Sequence, residues 1–418
     1  MSELKVLIVG SGGREHALTW KISQSDKVSK IFVAPGNAGT AEIAENVQIE
    51  DNANLDLMRF AKDNDIDLTV VGPEVPLANG IVDLFLDNDL RIFGPKKSGA
   101  KIEASKKYSK DIMRKYDIPT ATYRTFTEIE AAKEFVAQLE YPQVIKADGL
   151  AAGKGVLIVK SKEEALSAID CIMKENIFGK AGAEIVIEEF LEGQEISLLA
   201  FADGNTIVPM TTSQDHKKVF DGEKGPNTGG MGAYSPANIM SDEELENAVE
   251  TVLKRMLEAF KSEGIDYKGV LYAGLMLTEK GLRVLEFNCR FGDPETQVLL
   301  PRLDTDLIDI MNACIDGKLN DIEINWSNNH AVCVVLASDG YPGTYEKGFD
   351  ITGINNCELV FHAGTKREGE KVISNGGRVL GVMAVKDTLE EAIKSVYKDV
   401  DKINYKGKYY RKDIARTN

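Results

Sequence analysis

Glu286 and Asn288 stand two residues apart in the run Leu285-Glu286-Phe287-Asn288-Cys289, directly before Arg290-Phe291-Gly292-Asp293-Pro294-Glu295. A strand alternates its side chains, so Glu286 and Asn288 are expected on one face and Leu285, Phe287 and Cys289 on the other, in a core. A carboxylate beside a neutral amide oxygen suits Mg2+ (or Mn2+), a hard cation that takes few protein ligands and completes its shell with phosphates and waters. No Cys/His cluster has the spacing of a zinc site. Arg290 opens the following turn, where a guanidinium could meet phosphoryl oxygens and the charge that develops on them during transfer. By itself, the segment reads as a polar strand face with a surface Arg-Asp pair.

Three glycine-rich loops extend the question of phosphate. Gly10-Ser11-Gly12-Gly13-Arg14-Glu15 follows a strand and opens a helix, where backbone N–H groups and the helix dipole favour an anion. A dinucleotide fingerprint would need a third glycine where Glu15 stands, and an acidic residue where the next strand ends in Ala34-Pro35-Gly36-Asn37. A lone phosphate or no ligand is therefore expected, with a plain tight turn as the competing reading. The second loop, Lys146-Ala147-Asp148-Gly149 to Gly153-Lys154-Gly155, joins two strands and lacks the spacing and helix of a P-loop. It reads as a hairpin flap able to close over a triphosphate, or as a merely exposed hairpin. The third, from Asp221 to Ala233, is too rich in glycine for regular structure and follows Gln214-Asp215-His216-Lys217-Lys218. Substrate binding is expected there, although His216 alone reads as a satisfied structural histidine. Between the second and third loops, Glu188-Glu189-Phe190-Leu191-Glu192-Gly193-Gln194-Glu195 ends a strand. Free backbone groups at such a place could read an adenine edge, and a carboxylate could hold ribose hydroxyls.

The elements that must carry these residues show two patterns. From Leu4 to Gly94, β-branched runs (Lys5 to Val9, Ile31 to Val33, Leu68 to Val71, Arg91 to Phe93) alternate with helical stretches such as Arg14 to Ser23 and Leu55 to Asn64. That alternation predicts a doubly wound parallel sheet. One helix is expected over Lys97 to Tyr116, then a small α/β lobe with a helix at Glu128 to Leu139, ending near Glu188. From Gln194 to Leu300 longer strands pair through turns, with a long helix at Asp242 to Ser262, so antiparallel sheet should dominate. Ala331 to Leu336, Arg378 to Val385 and the helix Leu389 to Val400 belong to a final α+β region.

The chain has 418 residues, 43% apolar and 28% charged, more than one hydrophobic core usually supports, so several packed lobes are expected. A formal net charge of -16 disfavours extended nucleic-acid binding, and phosphate must be met by local cations and N–H groups. No apolar run reaches membrane-spanning length and no signal-peptide pattern opens the chain, so a cytoplasmic protein without membrane partners is expected. Cys171, Cys289, Cys314, Cys333 and Cys357 form no disulfide pattern and read as reduced packing residues. Cys289 lies between two residues of interest, but a buried or bystander thiol is preferred to a nucleophile.

Together these segments resemble the ATP-grasp superfamily, in which ATP lies between a small α/β lobe and a larger antiparallel one. More narrowly, GSGGREHAL, GPE at Gly72 to Glu74, KADGLAAGKGV, EEFLEGQE, QDHKK, GPNTGGMGAYSP and LEFNCRFGDPETQ resemble the phosphoribosylamine-glycine ligase family, in the expected order from Gly10 to Gln297. The resemblance implies a Rossmann-like N-terminal domain at 1–103, an ATP-grasp domain at 104–325 with its small lobe at about 119–190, and a C-terminal domain at 326–418. It implies ATP contacts at Lys106, Lys146, Gly153, Lys154 and Gly155, an adenine hinge at Glu188, Phe190 and Leu191, and a ribose-binding acid at Glu195. It implies metal ligands at Glu286 and Asn288. Gly12, Gly13, Glu15, Glu74, Asp215, His216, Lys217, Asn227, Thr228, Gly229, Arg290 and Asp293 are implied in binding glycine and phosphoribosylamine, with catalytic roles for Arg290, Lys217 and Asp215. Many superfamily members take a third metal ligand from the strand beside the glutamate strand, where Leu275, Met276 and Leu277 offer none. Glu223 stands where the family often has Asp. The implied reaction is ATP-dependent ligation through an acyl phosphate, by a monomer or weak homodimer. A different ATP-grasp ligase or carboxylase, a NAD-dependent oxidoreductase and a non-catalytic nucleotide-binding module are the rival readings.

Overall fold

The computed structural model describes residues 3–150, 155–175, 177 and 179–416. Strands β1 (Leu4–Gly10), β2 (Val28–Pro35), β3 (Glu45–Asn46), β4 (Leu68–Val71) and β5 (Ile92–Phe93) pair in parallel in the order β3-β2-β1-β4-β5. Val6, Leu7, Ile8 and Val9 are all fully buried, because crossover helices cover both faces of the central strand. The helix Gly13–Ile22 leaves the end of β1 and turns Arg14 toward the rest of the molecule.

The single helix expected over Lys97 to Tyr116 is two, Lys97–Ala104 and Lys106–Lys115. Ser105 breaks it: its backbone is extended and its Oγ accepts the N–H of Tyr108 at 3.1 Å, capping the second helix. The break opens a helix N-terminus whose Lys107 N–H donates to Asp148 at 2.9 Å, and it aims Lys106 at the small lobe.

That lobe holds β6 (Tyr123–Phe126), β7 (Gln143–Ala147), β8 (Val156–Val159) and β9 (Ile185–Glu189), antiparallel in the order β6-β9-β7-β8. Ile145, Val159, Ile185 and Ile187 pack with the helices Ile129–Val136 and Lys162–Ile169 into a core separate from the others. Lys146 lies opposite Val156, and Ala147 N–H donates to Gly155 at 2.9 Å, which fixes the base of the glycine hairpin. Gly153 and Lys154 lie outside the described residues.

The chain continues through β10 (Gln194–Asp203), β11 (Ile207–Pro209), β12 (Gln214–Asp215), β13 (Lys218–Phe220), β14 (Lys224–Asn227) and β15 (Gly232–Ser235). The expected long helix spans Asp242–Ser262, with a wider π-type stretch at Val249–Lys254, and leads to β16 (Lys268–Thr278) and β17 (Gly281–Asn288). An antiparallel sheet runs β11-β10-β16-β17, as the turn spacing predicts, while β13 and β14 pair as a hairpin. The last region contains β18 (His330–Ser338), β19 (Leu359–His362), β20 (Thr365–Glu368), β21 (Lys371–Ser374), β22 (Arg378–Lys386) and β23 (Lys408–Tyr409). Its sheet runs β12-β15-β18-β22-β19, so two strands from before residue 325 complete the C-terminal sheet. The segment from Asp215 to Ser235 is thereby built into the junction of the two regions.

Candidate active site

A cleft of about 360 Å3 opens where the parallel sheet, the small lobe, the antiparallel sheet and the C-terminal sheet meet. Arg14, Lys106, Lys110, Lys146, Lys217, Arg290 and Arg378 line it against Glu74, Glu103, Glu188, Asp215, Glu286, Asp293 and Glu295. The balance of charge is even, so what matters is which groups are already paired.

Glu188, at the end of β9, is paired twice. Lys110 Nζ lies 2.9 Å from one oxygen, and Lys146 Nζ lies 3.0 and 3.1 Å from the two. Burial opposes the charge, but Lys146 and Lys110 hold the carboxyl below its usual range. Desolvation pulls Lys110 down to about 8, with Lys146 adding to the fall and Glu188 opposing it. Lys106, lowered chiefly by burial, donates to Gly149 O at 2.8 Å at the foot of the hairpin. Two of the three lysines thus belong to a buried network on Glu188, which sets where their ammonium groups point. The strand ladder ends at Glu189, leaving the backbone of Phe190 and Leu191 beyond it, and Glu195 sits at the margin with its carboxylate 3.2 Å from Lys217 Nζ.

Glu286 and Asn288 both line the cleft, and Phe287 and Cys289 are buried behind them. Leu285 departs from the expected alternation: the pairing of β16 with β17 shifts between Gly274 and Leu275, a bulge that turns Leu285 to the cleft side. Its carbonyl accepts from Lys146 at 3.3 Å. The register places Gly274 opposite Glu286, and a Cβ added at Gly274 would come within 3.3 Å of Glu286 Cγ. The neighbouring strand therefore supplies no third ligand, and among the described residues no group of three or more His, Cys, Asp or Glu is arranged for a metal. Two hard oxygen donors with the remaining positions open fit Mg2+ shared with phosphate. Burial alone would raise Glu286, yet Lys217, Lys146, Lys106 and Arg290 hold it below the usual carboxylate range. The group stays ionised, as a metal ligand must. Cys289 is pushed well up by burial and the Glu103 charge, which removes it as a nucleophile.

Arg290 is fixed on two carboxylates, Glu103 at 2.8 Å and Glu74 at 3.3 Å. Asp293 is held by Arg378 at 3.0 Å and Gln297 at 2.8 Å. Arg378 also donates to Gly229 O and Asp293 O, and Tyr341 accepts from Gly229 N–H at 3.0 Å, so the C-terminal region clamps the third glycine loop. Asp215 and Glu295 are different. Glu295 accepts only from Ser197 at 3.0 Å and Tyr272 at 2.9 Å, and Asp215 Oδ1 is buried with no hydrogen-bond partner among the described residues. Burial and then the Glu295 charge push Asp215 well above its usual range. Lys217 and Arg378 offset only part of that rise, and neither Asp215 nor Glu295 makes an ion pair among the described residues, whereas Glu74, Glu103, Glu188 and Asp293 do.

Several expected contacts lie elsewhere. His216 turns away from the cleft, between Glu223 and the backbone of Ala415, and does not line it with Asp215 and Lys217. Gly12 and Gly13 are not cleft-lining, because Glu15 fills the loop: its carboxylate accepts from Gly12 N–H at 2.6 Å and pairs with Arg14 at 2.6 Å. Glu15 thereby satisfies the Gly12 N–H from within the loop. Asn227 lines a second, more apolar cavity with Phe220 and Tyr341, while Thr228 and Gly229 reach the cleft. Conversely, Arg14, Glu103, Lys110, Glu295 and Arg378 were not singled out in sequence. Lys110 lies one helical turn from Lys106, a usable signal. Arg378 has none, being ordinary until β22 folds beside Asp293.

The fold and this cation-lined, two-donor cleft define an ATP-grasp enzyme. Models of the phosphoribosylglycinamide synthetase N domain, ATP-grasp (A) domain and C domain match residues 4–103, 104–296 and 331–417. The chain belongs to the phosphoribosylglycinamide synthetase family. It is 51% identical over 415 residues to the phosphoribosylamine–glycine ligase of Halalkalibacterium halodurans, covering 99% of this chain and 96% of that one. It is 52% identical to the trifunctional purine biosynthetic protein adenosine-3 of Gallus gallus, covering 98% of this chain and 42% of that protein. The crystal structure of phosphoribosylamine–glycine ligase from Thermotoga maritima superposes with a TM-score of 0.86 at 35% identity, over 98% of this chain and 100% of that one. A biotin carboxylase domain from Hydrogenobacter thermophilus shares the fold at a TM-score of 0.75 and 16% identity, covering 98% and 92%.

Proposed function

We propose that this chain is a cytoplasmic ligase that joins glycine to 5-phosphoribosylamine, converting ATP to ADP and phosphate and yielding glycinamide ribonucleotide for purine biosynthesis. The family and its named relatives support the substrate pair. The observation that carries the chemistry is Glu286, ionised among Lys106, Lys146, Lys217 and Arg290 with Asn288 beside it.

A carboxylate resists attack by an amine because oxide is a poor leaving group. Here a carboxylate oxygen of glycine attacks the γ-phosphorus and displaces ADP, giving glycyl phosphate; the ribosylamine nitrogen then attacks the carbonyl carbon, expels phosphate and loses a proton. Glu286 and Asn288 would hold Mg2+, which supplies charge neutralisation to the transferring phosphoryl group. Lys106 and Lys146 gather phosphate oxygens, and Arg290, fixed by Glu74 and Glu103, presents a positioned charge that needs no reorganisation as the bond breaks. Asp215 and Glu295, which make no ion pair among the described residues, would receive the ammonium of glycine, leaving its carboxylate directed at the cations. The hairpin from Gly149 to Gly155, with Gly153 and Lys154, would cover the triphosphate and keep water from the acyl phosphate. Phe190, Leu191 and Glu195 would hold the nucleoside.

Phosphate release from ATP is expected to require glycine and phosphoribosylamine together. Release supported by either alone at the full rate, or by a different carboxylate or bicarbonate in place of glycine, would overturn the substrate assignment.

A further inference from the structure

We infer that the segment Arg411–Ala415 is a positioning element of the cleft, holding through Arg411 and His216 the stretch of chain from which Asp215 and Lys217 face the substrates. The inference rests on reading those two as substrate-facing residues.

Asp215 and Lys217 line the cleft, while His216 between them is buried on the opposite side. His216 Nε2 accepts the N–H of Ala415 at 3.1 Å, so the proton sits on Nδ1, which donates to Glu223 at 3.2 Å. Glu223 is in turn bound by Arg411 at 2.5 Å. Arg411 is completely buried (0% exposed) although it touches no part of the cleft; it also donates to Asp413 at 2.8 Å and to the carbonyl of Lys218 at 3.0 Å. Asp413 accepts from Gly222 N–H at 2.8 Å, and Asp221 accepts from Lys412 N–H at 2.8 Å, so the turn joining β13 to β14 is tied on both sides. Glu223 adopts a left-handed backbone, with φ of 55°, which holds its carboxylate between His216 and Arg411. The hairpin is thus anchored only one residue away from Lys217, by chain almost two hundred residues later.

Arg411 is buried whereas the Glu223 and Asp413 side chains are 47% and 20% exposed; solvent weakens such pairs and desolvating the guanidinium offsets part of their attraction, so they add little stability, whereas their fixed geometry orients what they hold. Shifts of about 1 Å in a reacting group cost on the order of 100-fold in rate. Releasing Arg411 frees the His216 side of the strand and lets Asp215 and Lys217 drift.

The test compares Arg411→Ala, Asp413→Asn, Asp215→Asn and Lys217→Met in steady-state assays of the full-length enzyme, below each variant's melting temperature. Arg411→Ala is expected to lose roughly 10- to 100-fold in kcat/KM for glycine and the amine. The KM for ATP should move less than about threefold, and millimolar guanidinium should restore part of kcat without raising the melting temperature. Asp413→Asn, the milder change, should lose less in the same parameters and decides the matter if Arg411→Ala does not fold. If Asp215→Asn and Lys217→Met retain full activity, the reading of the substrate site fails. If those two lose activity while Arg411→Ala and Asp413→Asn keep kcat/KM per folded molecule, or guanidinium changes only stability, the positioning role is overturned.

Discussion

Glu286 is held ionised by four cations from four separate stretches of the chain, although burial acts the other way. It lines the cleft face, so replacing it removes charge from the cleft rather than packing from the core. Glu286→Gln is expected to lower kcat by at least about 100-fold, the scale found when one preorganised charge is removed from a transition state. Melting temperature should change little, and near-normal turnover at limiting magnesium would refute the metal role. The pair Glu286 and Asn288 was legible in sequence because both donors sit on one strand, where spacing alone sets direction. Lys110 could have been found one helical turn from Lys106, but Glu103 could not, because only the fold brings it onto Arg290.

Ser105 shows how one polar side chain shapes an element. Its hydroxyl competes with the helix backbone, ends one helix and caps the next, and donates to Asp148 at 3.1 Å. Ser105→Ala should lower stability by about 1 kcal/mol, the typical worth of such a cap, and raise the KM for ATP, since Lys106 starts the capped helix. Urea unfolding and ATP titration together check this; a change in neither would show that the break is set elsewhere. The strands and most helices followed from periodicity, because each needs only a local apolar pattern. The bulge at Leu285 did not, since alternation assumes an unbroken ladder and the extra residue is visible only against β16.

Across the whole molecule, the parallel sheet and the C-terminal sheet meet at two buried histidines. His362 N–H donates to His16 Nδ1 at 2.8 Å, and the rings lie 5.5 Å apart. Burial, with the neighbouring charge of His362, lowers His16 to about 3; burial and then Arg367 lower His362 to about 4. Both are neutral when folded, whereas histidines in the unfolded chain titrate near 6.5. Below that pH the unfolded chain binds protons the folded one refuses, so their contribution is present above about 6.5 and is lost as pH falls toward 4 and 3. Each should cost about 1.4 kcal/mol per pH unit within that window. Urea midpoints at pH 7, 5.5 and 4.5 should therefore fall more steeply for the native chain than for a His16→Gln, His362→Gln double variant; parallel slopes would place the acid sensitivity elsewhere.

The sequence by itself determined the class of fold, the shared cleft face of Glu286 and Asn288, the two strands that the second glycine loop joins and the family resemblance, because each lies within a short stretch where residue type and spacing act through local geometry. Only the tertiary structure decided which polar groups are already satisfied: that Glu15 takes the Gly12 N–H in the first glycine loop, that His216 faces the C-terminal segment, that Arg378 clamps Gly229, and that Asp215 Oδ1 has no hydrogen-bond partner among the described residues. Those outcomes depend on groups hundreds of residues apart meeting in one desolvated volume, where an ion's effect is set by its burial and partners and no local pattern encodes either.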